Sequence, residues 1–446
     1  TLWLSSNFSS DELNRRLRED PRTFPTDGSH CELKDDGSNL QNGRLVVGNI
    51  LHLNQWLEAH PAVVKHLRIK NLDLVSGGPP CQSFSLAGLR EKNNEKNSLP
   101  WAFAKFVDMV RPKVALLENV TGILRPFTEN GEKYYAWFEV AKAFASIGYI
   151  PLPLHINAKF AGVAQNRPRF ILICVRQDVL SGLHLSSSEE KLFSAGLTFT
   201  NKLSDEQEVV LDDLPVFDLN TGNNELFNLF ERSFLAPLCS TKEDFVTVKD
   251  AIGDLEENGG KPSAYVNKIN ALAEGILTKR EMNGCTHNKI TDRVKRRFRL
   301  YQVMSHLGKE ETKDICAVLG GRADEIHLAS TWKAVSSYTF LQEDGTMRPF
   351  RKKAEFNSFL LDHRTKKQIQ RALIASAPAP AALSIPDDAC HYSEIRTLTV
   401  REMARIQSFP DSFIFKSKAT TGGLNRRFEV PIYTQIGNAV PVLLGY

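Results

Sequence analysis

Cys81 stands in the run Ser76-Gly77-Gly78-Pro79-Pro80-Cys81-Gln82-Ser83-Phe84-Ser85. Glycines there let a ligand approach the backbone closely and prolines fix its course. A thiol in such a loop is partly exposed and can react as its thiolate. An arbitrary cysteine is more often a small buried hydrophobe, but this setting makes Cys81 the candidate nucleophile. Glu118 closes the apolar run Val114-Ala115-Leu116-Leu117, where desolvation disfavours its charged form and suits it to acid–base work. An acid at a strand end more commonly caps the next loop. Beside a cysteine at a neighbouring strand end, the functional reading gains weight. Arg167 and Arg169 lie two apart in Ala164-Gln165-Asn166-Arg167-Pro168-Arg169, a spacing that directs both to one side of a strand. A guanidinium pair suits phosphate or a carbonyl oxygen, although a surface ion pair is the blander reading.

Such groups need a frame to hold them together. Short apolar runs at residues 72–76, 114–118, 151–157 and 170–175 read as buried strands, and residues 101–110 and 135–147 as helices, stopped by Arg111-Pro112 and by Gly148. The alternation predicts a doubly wound α/β domain with a parallel sheet, whose ligands gather at the carboxyl ends of the strands. Cys81 and Glu118 both fall at such ends. From about Leu180 to Cys390 the sequence is polar and loop-rich, a separate module. Beyond Ile395 helical spacing resumes, with Thr399 as N-cap and Glu402 three residues later. Three segments are therefore expected: a catalytic domain over 1–180, an inserted module over 181–390, and a return to the first domain over 391–446.

At about 150 residues per domain, 446 residues make two or three domains. With 42% hydrophobic and 24% charged residues and a net charge of +4, the chain is neither disordered nor collagen-like. It has no apolar run of about eighteen residues, so no membrane span is expected. Its start shows no signal-peptide pattern, which predicts a cytoplasmic protein. The seven cysteines form no Cys-x-x-Cys pair or zinc-like cluster, so reduced thiols and no metal site are expected. Basic residues concentrate in two stretches, one with Arg293, Arg296 and Arg297 and another with Arg351 and Lys352. Either stretch alone is commonly a solvated helix face.

Five blocks, taken together, carry a resemblance: Gly78-Pro79-Pro80-Cys81-Gln82-Ser83-Phe84-Ser85, Glu118-Asn119-Val120, Gln165-Asn166-Arg167-Pro168-Arg169, the run from Arg396 to Asp411, and Gln435-Ile436-Gly437-Asn438-Ala439-Val440-Pro441. In this order they resemble the signature blocks of the DNA (cytosine-5)-methyltransferases, and residues 246–255 resemble the segment that leads into the target-recognition region of larger members. The resemblance implies a Rossmann-like S-adenosylmethionine-dependent methyltransferase domain with a large inserted target-recognition domain. It implies that Cys81 adds to carbon 6 of a cytosine turned out of the duplex. Glu118 would act at N3, Arg169 at O2, and Arg167 would support the site or its backbone. Asn49, Pro79, Leu99, Asn438 and Val440 would hold S-adenosylmethionine. Gln82, Ser85, Arg293, Arg296, Arg297, Arg351 and Lys352 would meet double-stranded DNA, with residues 82–97 as a lid. It further implies a monomeric, bacterial, nucleoid-associated enzyme of restriction-modification, whose cognate endonuclease acts separately. An RNA cytosine methyltransferase and a catalytically impaired DNA-binding protein are the competing expectations. A zinc deaminase fails, because Phe84 stands where its second cysteine is required. Three departures accompany the resemblance: residues 1–47 hold no Phe-x-Gly-x-Gly loop, the family's Gly-Asp-Ile is here Gly48-Asn49-Ile50, and the sequence stops at Tyr446 where a closing helix is expected. The expectation is that this chain is part of a longer one, the alternative being a protein that binds its cofactor poorly.

Overall fold

The computed structural model describes residues 2–3, 32–34, 36–38, 40, 45–46, 48–79, 99–129, 132–274, 281–366, 370–381, 389–420 and 430–446. Cys81, Gln82 and Ser85, and the expected lid over 82–97, lie outside the described residues. The chain forms two compact units, Thr1–Ala161 with Pro168–Ser240, and Gly162–Arg167 with Thr241–Tyr446.

The first unit is built on a five-stranded sheet of β1 (Leu74–Gly77), β2 (Val114–Val120), β3 (Tyr149–Asn157), β4 (Pro168–Arg176) and β5 (Phe217–Asp218), in the order β5-β3-β4-β2-β1. The β1–β2 and β3–β5 pairs are parallel. Strand β4, however, runs antiparallel to both its neighbours, β2 and β3, so the expected parallel sheet is a mixed one. A parallel return needs a crossover of a dozen or more residues, usually a helix. The link from β3 to β4 offers only a 3-10 turn, Ala158–Ala161, and a two-residue strand, Gln165–Asn166.

Helices α1 (Ile50–Ala59), α2 (Pro61–Ile69), α3 (Leu99–Val110) and α4 (Ala136–Ser146) accompany the sheet. Phe103, Val107, Trp137, Val140 and Phe144 join Leu117, Phe170 and Leu172 in one core, and Leu53, Leu57, Phe106 and Val110 form a second. Full burial of each such side chain is worth about 1.5–3 kcal/mol. Helix α5 (Ser187–Ser204) opens with a reciprocal cap between Ser186 and Glu189 and packs on β3. Only glycine fits at Gly196, where a Cβ would lie 2.3 Å from the Pro151 carbonyl oxygen. Since α5 packs on β3 and β5 pairs with it, residues 181–240 group with the sheet unit.

The second unit is mainly helical: α6 (Val248–Ile252), α7 (Ala264–Ala271), α8 (Asp292–Met304), α9 (Lys309–Leu319), α10 (Ala329–Val335), α11 (Lys353–Asp362), α12 (Val400–Ile406) and α13 (Ile432–Asn438). Phe298, Tyr301, Ile315, Phe340, Phe356 and Leu360 make its core. The cap foreseen at Thr399 is present, its hydroxyl accepting from the Glu402 N–H while Glu402 accepts from Thr399 N–H. Residues 391–446 group with Thr241 onward in this unit. Buried Arg405 of α12 is neutralised by Asp254 at 2.6 Å and Asp411 at 2.8 Å, both in the second unit. A buried guanidinium binds the chain to whichever segment supplies its carboxylates.

Candidate active site

Gly77 of β1 is paired with Leu117 of β2, so the exit of β1 through Gly78 and Pro79 runs beside Glu118. A Cβ at Gly78 would lie 3.4 Å from Glu118 Oε2. Asn119, 1% exposed, faces the opposite side of the sheet. Its Oδ1 accepts from the Val120 N–H at 2.9 Å, and its Nδ2 makes a long contact of 3.4 Å with the Pro79 carbonyl oxygen. Glu118 is not the strand's last residue, as the apolar run suggested. The strand continues to Val120, and Glu118 is paired with Ile171.

That register sets Arg169, opposite Val120, diagonally across from Glu118 on one face of the sheet. The Nε of Arg169 lies 3.0 Å from Glu118 Oε1, and the two side chains are only 12% and 20% exposed. The contact fixes the carboxylate and the guanidinium relative to one another on one face of the sheet. Charge-assisted contacts of this type, partly shielded from water, are stronger than those between neutral groups.

Arg167 does not share this face, contrary to what the two-residue spacing suggested. Pro168 begins the strand after it, and Arg167 belongs to the second unit. There it is 2% exposed and donates through Nη2 to the carbonyl oxygens of Gly437, at 2.6 Å, and Ala439, at 3.0 Å. Gln407 Nε2 donates to the Ile436 carbonyl oxygen at 2.9 Å. Together they hold the turn around Asn438 and Val440, whose side chains are exposed. Sequence reasoning missed Arg401, which is fully buried and donates to backbone oxygens of Asn283, Pro410 and Phe413. Three charged residues, Arg401, Glu402 and Arg405, among the apolar residues of one short helix are the signal that could have found it.

In the first unit, Asn49 caps α1, its Oδ1 accepting from the Leu51 N–H at 3.0 Å. Helix α1 is tied to α3 by buried Asn54, whose Nδ2 donates to the Ala102 carbonyl oxygen at 2.8 Å. Leu99, the first residue of α3, is half-buried, as is Pro79. Leu99 and Pro79 offer half-buried apolar surface and Asn49 an amide N–H, the kinds of group that pack on and hydrogen-bond to an adenine ring. In the second unit, Arg293 donates to the Asp362 carbonyl oxygen, and Arg296 pairs with Glu343 at 2.9 Å with its side chain 17% exposed. Arg297 is half-buried, whereas Arg351 and Lys352 are exposed. Among the described residues no group of three His, Cys, Asp or Glu could hold a metal, and no helix is long and apolar enough to cross a membrane. Burial pushes the Cys174 thiol well up and that of Cys390 up to about 12, and raises Cys285 and Cys316 as well. None of these four is an activated thiolate.

Residues 58–446 match a family model described as C-5 cytosine-specific DNA methylase. The chain is 27% identical over 386 residues to Type II methyltransferase M.DdeI of Desulfomicrobium norvegicum, covering 85% of this chain and 72% of that protein. It is 30% identical over 400 residues to Type II methyltransferase M.AgeI of Thalassovita gelatinovora, covering 84% and 81%. To Type II methyltransferase M1.HphI of Haemophilus parahaemolyticus it is 24% identical over 386 residues, covering 86% and 68%.

Proposed function

Because the chain belongs to the C-5 cytosine-specific DNA methylase family, we propose that Cys81 is the nucleophile with which this S-adenosylmethionine-dependent DNA (cytosine-5-)-methyltransferase attacks carbon 6 of its target cytosine. The observation that carries the reading is the Arg169–Glu118 contact of 3.0 Å beside the exit of β1, whose last residue, Gly77, stands four positions ahead of Cys81 in the sequence.

Carbon 5 of cytosine is a weak nucleophile. Addition of a thiolate at carbon 6 moves an electron pair toward N3 and O2 and makes carbon 5 an enamine carbon. Glu118 holds a proton at N3 and accepts from the exocyclic amine, and Arg169 donates to O2, so the two groups meet the developing charge. When bound, S-adenosylmethionine supplies the methyl group as an electrophile. Removal of the carbon 5 proton by a base restores the ring double bond and expels the Cys81 thiolate. Stacked bases hide carbon 6, so the cytosine is turned out of the duplex first. Asn49, Pro79 and Leu99 receive the adenosyl group in the first unit. Asn438 and Val440, on a turn that Arg167 holds in the second unit, are the remaining cofactor candidates that the family resemblance gives. The three relatives described above carry Type II names, which supports a role in restriction-modification with an endonuclease acting separately.

DNA carrying 5-fluorocytosine tests the nucleophile, because its carbon 5 substituent cannot leave as a proton. The protein should be trapped on such DNA in the presence of S-adenosylmethionine, and Cys81→Ser should abolish the adduct. Trapping that survives Cys81→Ser overturns the assignment.

A further inference from the structure

His155 of β3 has both ring nitrogens engaged. Its Nδ1 lies 2.9 Å from Asp218 Oδ1, and its Nε2 lies 3.3 Å from Thr121 Oγ1. Asp218, on β5, is itself oriented. Its Oδ1 accepts from the Asn220 N–H at 2.8 Å and from Asn220 Nδ2 at 3.2 Å. Asn220 Oδ1 in turn accepts from Asn157 Nδ2 at 2.9 Å. A carboxylate on Nδ1 favours the tautomer with its proton there, which leaves Nε2 to accept the Thr121 hydroxyl.

The order hydroxyl, imidazole, carboxylate is that of a nucleophile triad, but the register argues against that use here. His155 is paired with Phe170, and Phe170 with Asn119, so His155 shares the face of buried Asn119 and Phe170. Glu118 and Arg169 occupy the other face. The imidazole therefore reaches over β4, from β3 to the turn that follows β2, behind the row that carries Ile156, Arg169 and Val120. Backbone pairing between β2 and β4 ends at the Val120–Arg169 rung, and an end rung is held from one side only. The chain from Thr121 through His155 to Asp218 adds a side-chain restraint just beyond that rung, where Arg169 must meet Glu118.

We propose that the Thr121–His155–Asp218 chain is a positioning device for the methyl-transfer reaction, a strap across the back of β4 that holds the Glu118–Arg169 pair in register. The inference rests on the assignment of those two residues to the cytosine ring made above. Thr121→Val keeps the shape of the side chain and removes the hydroxyl, whereas Thr121→Ser keeps the hydroxyl.

With full-chain protein, Thr121→Val should lower kcat by on the order of tenfold to a hundredfold, the scale of a small misplacement of reacting groups. Trapping on 5-fluorocytosine DNA should slow equally, while KM for S-adenosylmethionine and Kd for DNA stay at parental values. Thr121→Ser should recover most of the rate. Should Thr121→Val fold poorly, Thr121→Ala is read in its place. A Thr121→Val enzyme with parental kcat overturns the proposal. So does a loss that Thr121→Ser shares, or one divided evenly among kcat, KM and Kd, which marks general loosening. Failure of the parent to form any adduct instead strikes the assignment of Cys81 and its partners, a separate outcome.

Discussion

Arg169 reaches across from β4 to set its Nε 3.0 Å from the carboxylate of Glu118 on β2, with both side chains largely withdrawn from water. In a shielded site an oriented guanidinium stabilises developing charge without reorganising at the moment of reaction. Arg169→Ala is expected to lower kcat by on the order of 10²–10³-fold, and Arg169→Lys to recover only part, because an ammonium lacks the planar fork. Glu118→Gln should cost a comparable factor. The double variant Arg169→Ala with Glu118→Gln should lose less than the product of the single losses, since either change already leaves its partner uncompensated. Steady-state methyl transfer decides this, and multiplicative losses would show that the pair does not work as a unit.

Phosphate binding is expected from cations that are exposed and not already committed to the fold. Arg293 and Arg296 donate to Asp362 and Glu343, while Arg351 and Lys352 project at the start of α11. Replacing Arg351 or Lys352 by alanine should reduce the slope of log affinity against log salt by about 0.9 for each phosphate that is no longer neutralised. Arg296→Ala should leave that slope unchanged and cost about 0.2–1 kcal/mol of stability. Binding titrations from low to moderate salt separate the two outcomes.

Gly284 has φ +84°, and a Cβ there would fall 2.8 Å from Val400 Cγ1, while its carbonyl oxygen accepts from the Arg401 N–H at 3.0 Å. A side chain meets both backbone strain and a clash with a β-branched neighbour. Gly284→Ala should destabilise the protein by about 1–3 kcal/mol, read as a lower denaturant midpoint. An unchanged midpoint would mean that α12 and the segment at 283–284 are not packed as described.

His391 is fully buried, and its Nδ1 accepts from the N–H groups of Ser393 and Glu394. Burial, only partly offset by Glu402, pushes its pKa below the ordinary 6.5. The folded protein therefore keeps this imidazole neutral at a pH where the unfolded chain protonates it. Stability rises with pH wherever the unfolded state binds more protons, so this contribution is lost as pH falls through 6.5 and levels off below the folded-state value. His391→Asn, which retains a short acceptor, should flatten the acid limb of a Tm-against-pH curve between about pH 7 and pH 5. His363 is shifted the same way by burial, so some slope should remain.

Much of this molecule could be read from its sequence. Glycine–proline punctuation before Cys81, the Thr399–Glu402 cap, and the alternation of apolar runs with amphipathic helices are local patterns, and local patterns are governed by the few residues that make them. They supplied the α/β class and the order of the family's blocks. What they could not supply is pairing. The spacing of Arg167 and Arg169 suggested a shared direction, yet one meets Glu118 and the other clasps Gly437 and Ala439, the former 270 positions away in the chain. The reversed β4, the membership of residues 181–240 in the sheet unit, and the strap from Thr121 through His155 to Asp218 are likewise relations between distant segments. Their geometry is set by strand register and by which carboxylate or carbonyl lies opposite when the chain closes on itself, and those are properties of packing that neighbours in sequence do not encode.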